Sequence, residues 1–128
     1  MNNRIIKFRA WDNHNKVMKI YSLKELAGED KFGYDTEFEA IQSGFDNWIW
    51  MQFTGLKDKN GKEICEGDIV EWKPVVLDRK MRGKVIWHME SGAWFVKDDI
   101  GDCNHLGLLL YISTEVIGNI YENPELLK

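Results

Sequence analysis

His88, Cys103 and His105 are residues of the types that bind zinc, because imidazole nitrogen and thiolate sulfur are its preferred protein donors. Their spacing does not build a site. A structural zinc site takes four ligands in tight pairs, and Cys103-Asn104-His105 is not such a pair, so these residues read as a packed cysteine and surface histidines. Asp98-Asp99-Ile100-Gly101-Asp102 brings three carboxylates to a glycine, but it lacks the alternating ligand positions and terminal bidentate Glu of an EF-hand. Asp and Gly are favoured in turns for backbone reasons, which makes a solvated turn the expectation. Glu63, Glu66, Asp68 and Glu71 would act as acid and base only in a cleft that perturbs their pKa values, and their setting points to turns and a soluble sheet edge. The chain has no GxSxG elbow, no phosphate-cradling glycine loop and no HExxH motif. It is therefore expected not to be an enzyme and to use no metal or cofactor.

Binding chemistry is better represented. Arg79-Lys80-Met81-Arg82-Gly83-Lys84 concentrates positive charge in what reads as a long hairpin loop. Arg79, Lys80, Arg82 and Lys84, with Trp94 nearby, form the candidate contact for a nucleic acid or another partner: cations would meet phosphates, and bases would stack on indoles at about 1–3 kcal/mol per base. The charge balance opposes a dedicated nucleic-acid binder. The formal charge is −4, with seven basic and eight acidic groups in residues 1–54 and ten and thirteen in residues 55–128, so neither part is a basic arm. Six Trp in 128 residues instead favour a protein partner, since large aromatics dominate interfaces as well as cores.

The elements that must position these groups are mostly strands. Ile6, Phe8 and Ala10 alternate with Lys7 and Arg9, Asn13-His14-Asn15-Lys16 turns the chain, and Val17-Met18-Lys19-Ile20-Tyr21 returns, which predicts a hairpin. Ser22 and Glu25 stand at the spacing of a capping box for a short helix. Residues 28–34 read as a loop. From Phe45 to Phe53 both faces of an extended segment are apolar, so the strand needs cover on both sides, and a second subunit is one source of it. Asp58-Lys59-Asn60-Gly61-Lys62 carries an Asn-Gly pair tolerant of positive φ between two apolar runs, which predicts another hairpin. Short strands follow at 67–72, 83–88, 93–97 and 115–121, placing Trp72, Trp87 and Trp94 on three successive strands. Residues 106–113 fit a helical turn or a buried strand equally. The expected fold is mainly β (α+β): an N-terminal α+β segment at 1–54 and a C-terminal small SH3-like β-barrel at 55–128, packed together.

Three segments carry a family resemblance: Ile6-Lys7-Phe8-Arg9-Ala10-Trp11-Asp12, the hairpin region from Met51 to Val70, and Val116-Ile117-Gly118-Asn119-Ile120-Tyr121-Glu122-Asn123-Pro124-Glu125-Leu126-Leu127. In this order, across nearly the whole chain, they resemble the YopX family, small proteins encoded in bacteriophages and in prophages of mainly Gram-positive bacteria. Cys65 departs from the aromatic residue more frequent there, which bears on packing beneath the hairpin. The resemblance implies phage or prophage origin, and it brings no catalytic or binding residues to carry over. The N-terminus shows no apolar signal core, residues 106–112 are far too short to span a bilayer, and two cysteines without CxxC spacing fit a reducing compartment. The expectation is a cytoplasmic protein of the bacterial host cell that binds a host or phage protein, forms a homo-oligomer, and does not engage the membrane; nucleic acid is the alternative partner.

Overall fold

A computed structural model describes residues 6–26 and 48–128; the loop expected at 28–34 and the start of the strand expected from Phe45 lie outside the described residues. The fold is mostly β, with two antiparallel sheets and little helix. The chain divides into two compact units, residues 1–53 and 54–128.

In the first unit, β1 (Lys7–Asp12) and β2 (Val17–Ser22) form the hairpin that their alternation predicts, from Lys7 opposite Ser22 to Asp12 opposite Val17. The turn is held by Asp12, whose carboxylate accepts the backbone N–H groups of His14 and Asn15, while Lys16 takes φ 57° to close it. On its other side β1 pairs antiparallel with β3 (Trp48–Lys57), from Phe8 opposite Gln52 to Asp12 opposite Trp48. Ala10 and Tyr21 are buried, and Trp48 and Trp50 pack on them, with Trp50 5.7 Å from the Tyr21 ring. Helix α1 (Leu23–Leu26) starts on the expected capping box: Ser22 Oγ accepts the Glu25 N–H, and a Glu25 carboxylate oxygen accepts the Ser22 N–H.

The second unit begins within β3, whose end turns through residues 58–62 into β4 (Glu63–Cys65). The turn differs from the expected Asn-Gly pair in one respect. Only Gly61 takes positive φ, at 81°, because the Asp58 carboxylate accepts the N–H groups of Asn60 and Lys62 and shapes the turn from its first residue. After β4 come β5 (Asp68–Trp72), β6 (Met81–His88), β7 (Ala93–Asp98), β8 (Cys103–His105), helix α2 (Leu106–Leu109), β9 (Glu115–Asn119) and a 3-10 turn (Pro124–Leu127). The ambiguous run at 106–113 thus resolves as a helical turn, and β8 is a strand where the sequence pattern assigns no element. The sheet order is β8-β7-β6-β5-β9, all antiparallel. Because side chains alternate, Val70, Trp72, Met81, Val85 and Val96 share one face and form a core with Ile64, Leu106 and Leu109. Among the described residues the edge strands β8 and β9 do not pair, so this sheet does not close into a barrel.

Candidate interaction surfaces

The segment linking β5 to β6 and the segment ahead of β9 border a cleft of about 480 Å³. Trp72 and Ile112 contribute apolar surface that is continuous with the core. Lys80 meets Glu71 at 3.3 Å and Lys59 meets Glu115 at 3.9 Å, whereas Lys73 has no ion partner among the described residues. At the rim, Val75 is 94% exposed and Tyr111 89%. The wall carrying Tyr111 is fixed by its backbone: Thr114 Oγ1 donates to the Leu109 carbonyl, the Lys59 N–H donates to the Thr114 carbonyl, and Ser113 sits at φ 39°. The sequence signal for this rim is Val75-Val76-Leu77, three consecutive apolar residues directly after Pro74, of which Val75 lines the cleft.

The basic residues named from the sequence are dispersed. Arg79 pairs with Asp99 at 3.4 Å, Lys80 turns into the cleft toward Glu71, and Arg82 bonds Glu71 through Nε at 2.7 Å and the Leu126 carbonyl at 3.3 Å. Lys84 lies inside β6, opposite Lys97 of β7, and has no ion partner among the described residues. Trp94 lies on the other face. It is opposite Trp87 across the hairpin, with edge-to-face rings 5.0 Å apart, and it packs against the core, while Arg82 and Lys84 occupy alternate positions facing away. Trp94 therefore does not share a surface with Arg82 and Lys84.

The acidic residues serve structure. The hydrogen bond from Arg82, reinforced by Lys80, holds the Glu71 carboxyl below the usual glutamate range despite partial burial, so it stays ionised rather than poised to give up a proton. Asp68 is buried and accepts the Cys65 N–H at 2.8 Å. Asp98 accepts the N–H groups of Ile100 and Asp102 and the Asn104 side-chain amide, which makes 98–102 the expected turn. No group of three or more His, Cys, Asp or Glu side chains able to hold a metal occurs among the described residues. His88 and His105 instead flank Phe95, with ring centroids 4.6 and 5.2 Å away, and Cys103 is an exposed free thiol on β8. No helix among the described residues is long and apolar enough to cross a membrane.

Among solved structures, protein EF1440 from Enterococcus faecalis is similar over 98% of this chain and 100% of its own, at 29% identity and a TM-score of 0.60. Protein yopX from Bacillus subtilis is similar over 95% of this chain and 98% of its own, at 19% identity and a TM-score of 0.52, a likeness of fold. No curated protein matches. Residues 7–128 match the family model described as YopX protein, which takes in the two hairpins, the five-stranded sheet and the closing 3-10 turn, and the chain belongs to the YopX family.

Proposed function

We propose that this protein is a non-enzymatic interaction module of a phage or prophage, acting in the cytoplasm of the bacterial host by binding a host or phage protein at the cleft between residues 73–80 and 111–115. The observation that carries this reading is the rim: Val75 and Tyr111 are 94% and 89% exposed at a cleft lined with lysines and glutamates. Exposed apolar side chains around a concave floor with a charged border match the anatomy of a protein interface, where apolar anchors are ringed by polar groups. A second copy of the chain is the alternative occupant, and it would make the protein a homo-oligomer. We also describe the second unit as SH3-like, on the strength of its short, bulged antiparallel strands, although the sheet is open.

The experiment is capture on immobilised protein from nuclease-treated extract of a Gram-positive host, in parallel with the variants Val75→Asp and Tyr111→Ala, whose exposed side chains can change without loss of the core. The reading expects one specific protein on the wild type that is lost from both variants. Capture that ignores the two substitutions, or that disappears with nuclease, removes the cleft as the binding site.

A further inference from the structure

Strand alternation gives the β6–β7–β8 part of the sheet a second face, away from the core. Lys84, Ile86 and His88 of β6, Phe95 and Lys97 of β7, and His105 of β8 occupy it. Lys84 stands directly opposite Lys97, an arrangement that costs stability because like charges meet across the ladder, and neither has an ion partner among the described residues. No strand here offers this face a carboxylate. Asp98 belongs to the core-side row opposite Gly83, Asp99 is held by Arg79, and Glu71 is held by Arg82 and Lys80.

The aromatic centre of the face is Phe95, with an imidazole on either side. Both imidazoles are held by a turn. The Ser91 N–H donates to His88 Nδ1 at 3.3 Å, and the Gly107 N–H donates to His105 Nδ1 at 3.1 Å as His105 caps α2. A backbone N–H can only donate, so His105 Nδ1 is an acceptor and its ring hydrogen sits on Nε2, whereas His88 Nδ1 also lies 2.8 Å from Ser91 Oγ, a hydroxyl that can donate or accept. A metal bound at Nε2 of His105 would force the proton onto Nδ1, against that backbone donor, so His105 is set to donate a hydrogen bond and not to ligate.

We propose that this face binds single-stranded nucleic acid. A base stacks on Phe95, Lys84 and Lys97 meet the flanking phosphates, and the Nε2–H of His105 donates to a phosphate or base oxygen. An acidic peptide would satisfy the lysines but would leave Phe95 without a planar partner, and a duplex would keep its bases stacked on each other. The site is separate from the cleft and from Arg79 and Lys80, and Arg82, two positions before Lys84 on the same face, is held by Glu71. Its three strands span about 10 Å, so contact is short, and two lysines give a log–log salt slope near −1.4 for a single strand.

The test is fluorescence anisotropy of a labelled oligothymidine with the full chain across a salt series. Lys84→Gln with Lys97→Gln, which removes a like-charge contact and leaves the fold intact by circular dichroism, is expected to weaken binding at least tenfold and flatten the slope. Phe95→Ala is expected to cost roughly 5- to 150-fold, and Phe95→Tyr, which keeps a stacking ring, to restore binding. Arg79→Gln with Lys80→Gln is expected to leave binding unchanged. No binding by the wild type at low salt, binding that survives the double lysine variant, or equal competition by polyglutamate would each overturn the proposal, the last by assigning the face to an acidic peptide.

Discussion

Asp58 joins two strands that are far apart in the chain: its Oδ2 accepts the backbone N–H of Val116, 58 positions later, at 2.9 Å. Its Oδ1 accepts the N–H groups of Asn60 and Lys62, so one carboxylate shapes the hairpin tip and ties it to β9. Burial alone would raise its pKa, but the bonds from Val116, Lys62 and Asn60 outweigh it and hold the carboxyl below the ordinary aspartate value of 3.8. A depressed folded-state pKa stabilises the fold above the unfolded value and ceases to do so as pH falls through the folded value. Asp58→Asn is therefore expected to cost about 1–3 kcal/mol at neutral pH, through imperfectly matched buried donors. Urea denaturation should show the gap from wild type closing below about pH 4. A gap that stays constant through acid would show that the charge on Asp58 is irrelevant to its role.

Gly61 and Gly83 need glycine for different reasons. Gly61 has φ 81° and open space around a built Cβ, so Gly61→Val should cost about 1–2 kcal/mol in backbone strain, and Gly61→Asn, which tolerates that conformation, should recover most of it. At Gly83 a Cβ would stand 2.6 Å from the Lys97 carbonyl oxygen and from Val96 Cγ1. Gly83→Ala should cost about 1–3 kcal/mol by overpacking, and Gly83→Asn should be worse still. Thermal melts of the four variants separate the mechanisms, and a rescue by Asn at position 83 would contradict the steric account.

The parts that the sequence made legible are those in which a short-range signal sufficed. Ser22 and Glu25 lie three positions apart, the β6–β7 turn contains Ser91-Gly92, and the three tryptophans fall on β5, β6 and β7 as their strand spacing indicates. The capping box and turn chemistry are local, so tertiary context did not need to be known. What was illegible depends on register. Glu71 and Arg82 sit opposite each other only once β5 pairs with β6, and Asp99 reaches Arg79 across twenty positions, so the basic run looked free when most of it is neutralised. Strand β8 has no period of its own to read and is specified by β7 and by the Asn104 bond to Asp98. The closing residues that mark the family form a turn lock: the Asn119 side chain accepts from Tyr121 and Glu122, and its backbone carbonyl accepts from Asn123. Family-marking residues that build turns identify the fold without pointing to a site.

Trp50 tests whether the aromatic strand β3 serves the core of its own unit. Its ring is partly buried, near Tyr21 and stacked with Trp48 at 6.5 Å, so Trp50→Ala should lose about 2 kcal/mol, less than the 3–5 kcal/mol of a fully buried tryptophan. The expected result is a lowered melting temperature with an unchanged molar mass in light scattering. A fall in mass without loss of stability would place the ring in a subunit interface instead.

Glu71 masks positive charge. With 12% of its side chain exposed, it holds Arg82 at 2.7 Å and Lys80 at 3.3 Å, so its removal frees both cations beside the cleft. Glu71→Gln keeps the shape and the hydrogen-bonding carbonyl while deleting the charge. Stability should fall by about 1 kcal/mol, because both partners are largely solvated and a surface pair contributes little. Affinity for a labelled oligonucleotide should rise. Releasing two cations steepens the log–log salt slope by up to about 1.4, and Arg82→Gln in the same background should return part of the gain. An oligonucleotide affinity that Glu71→Gln leaves untouched would show that Lys80 and Arg82 cannot reach a phosphate even when freed, and that the pairing serves only to fix β5 against β6.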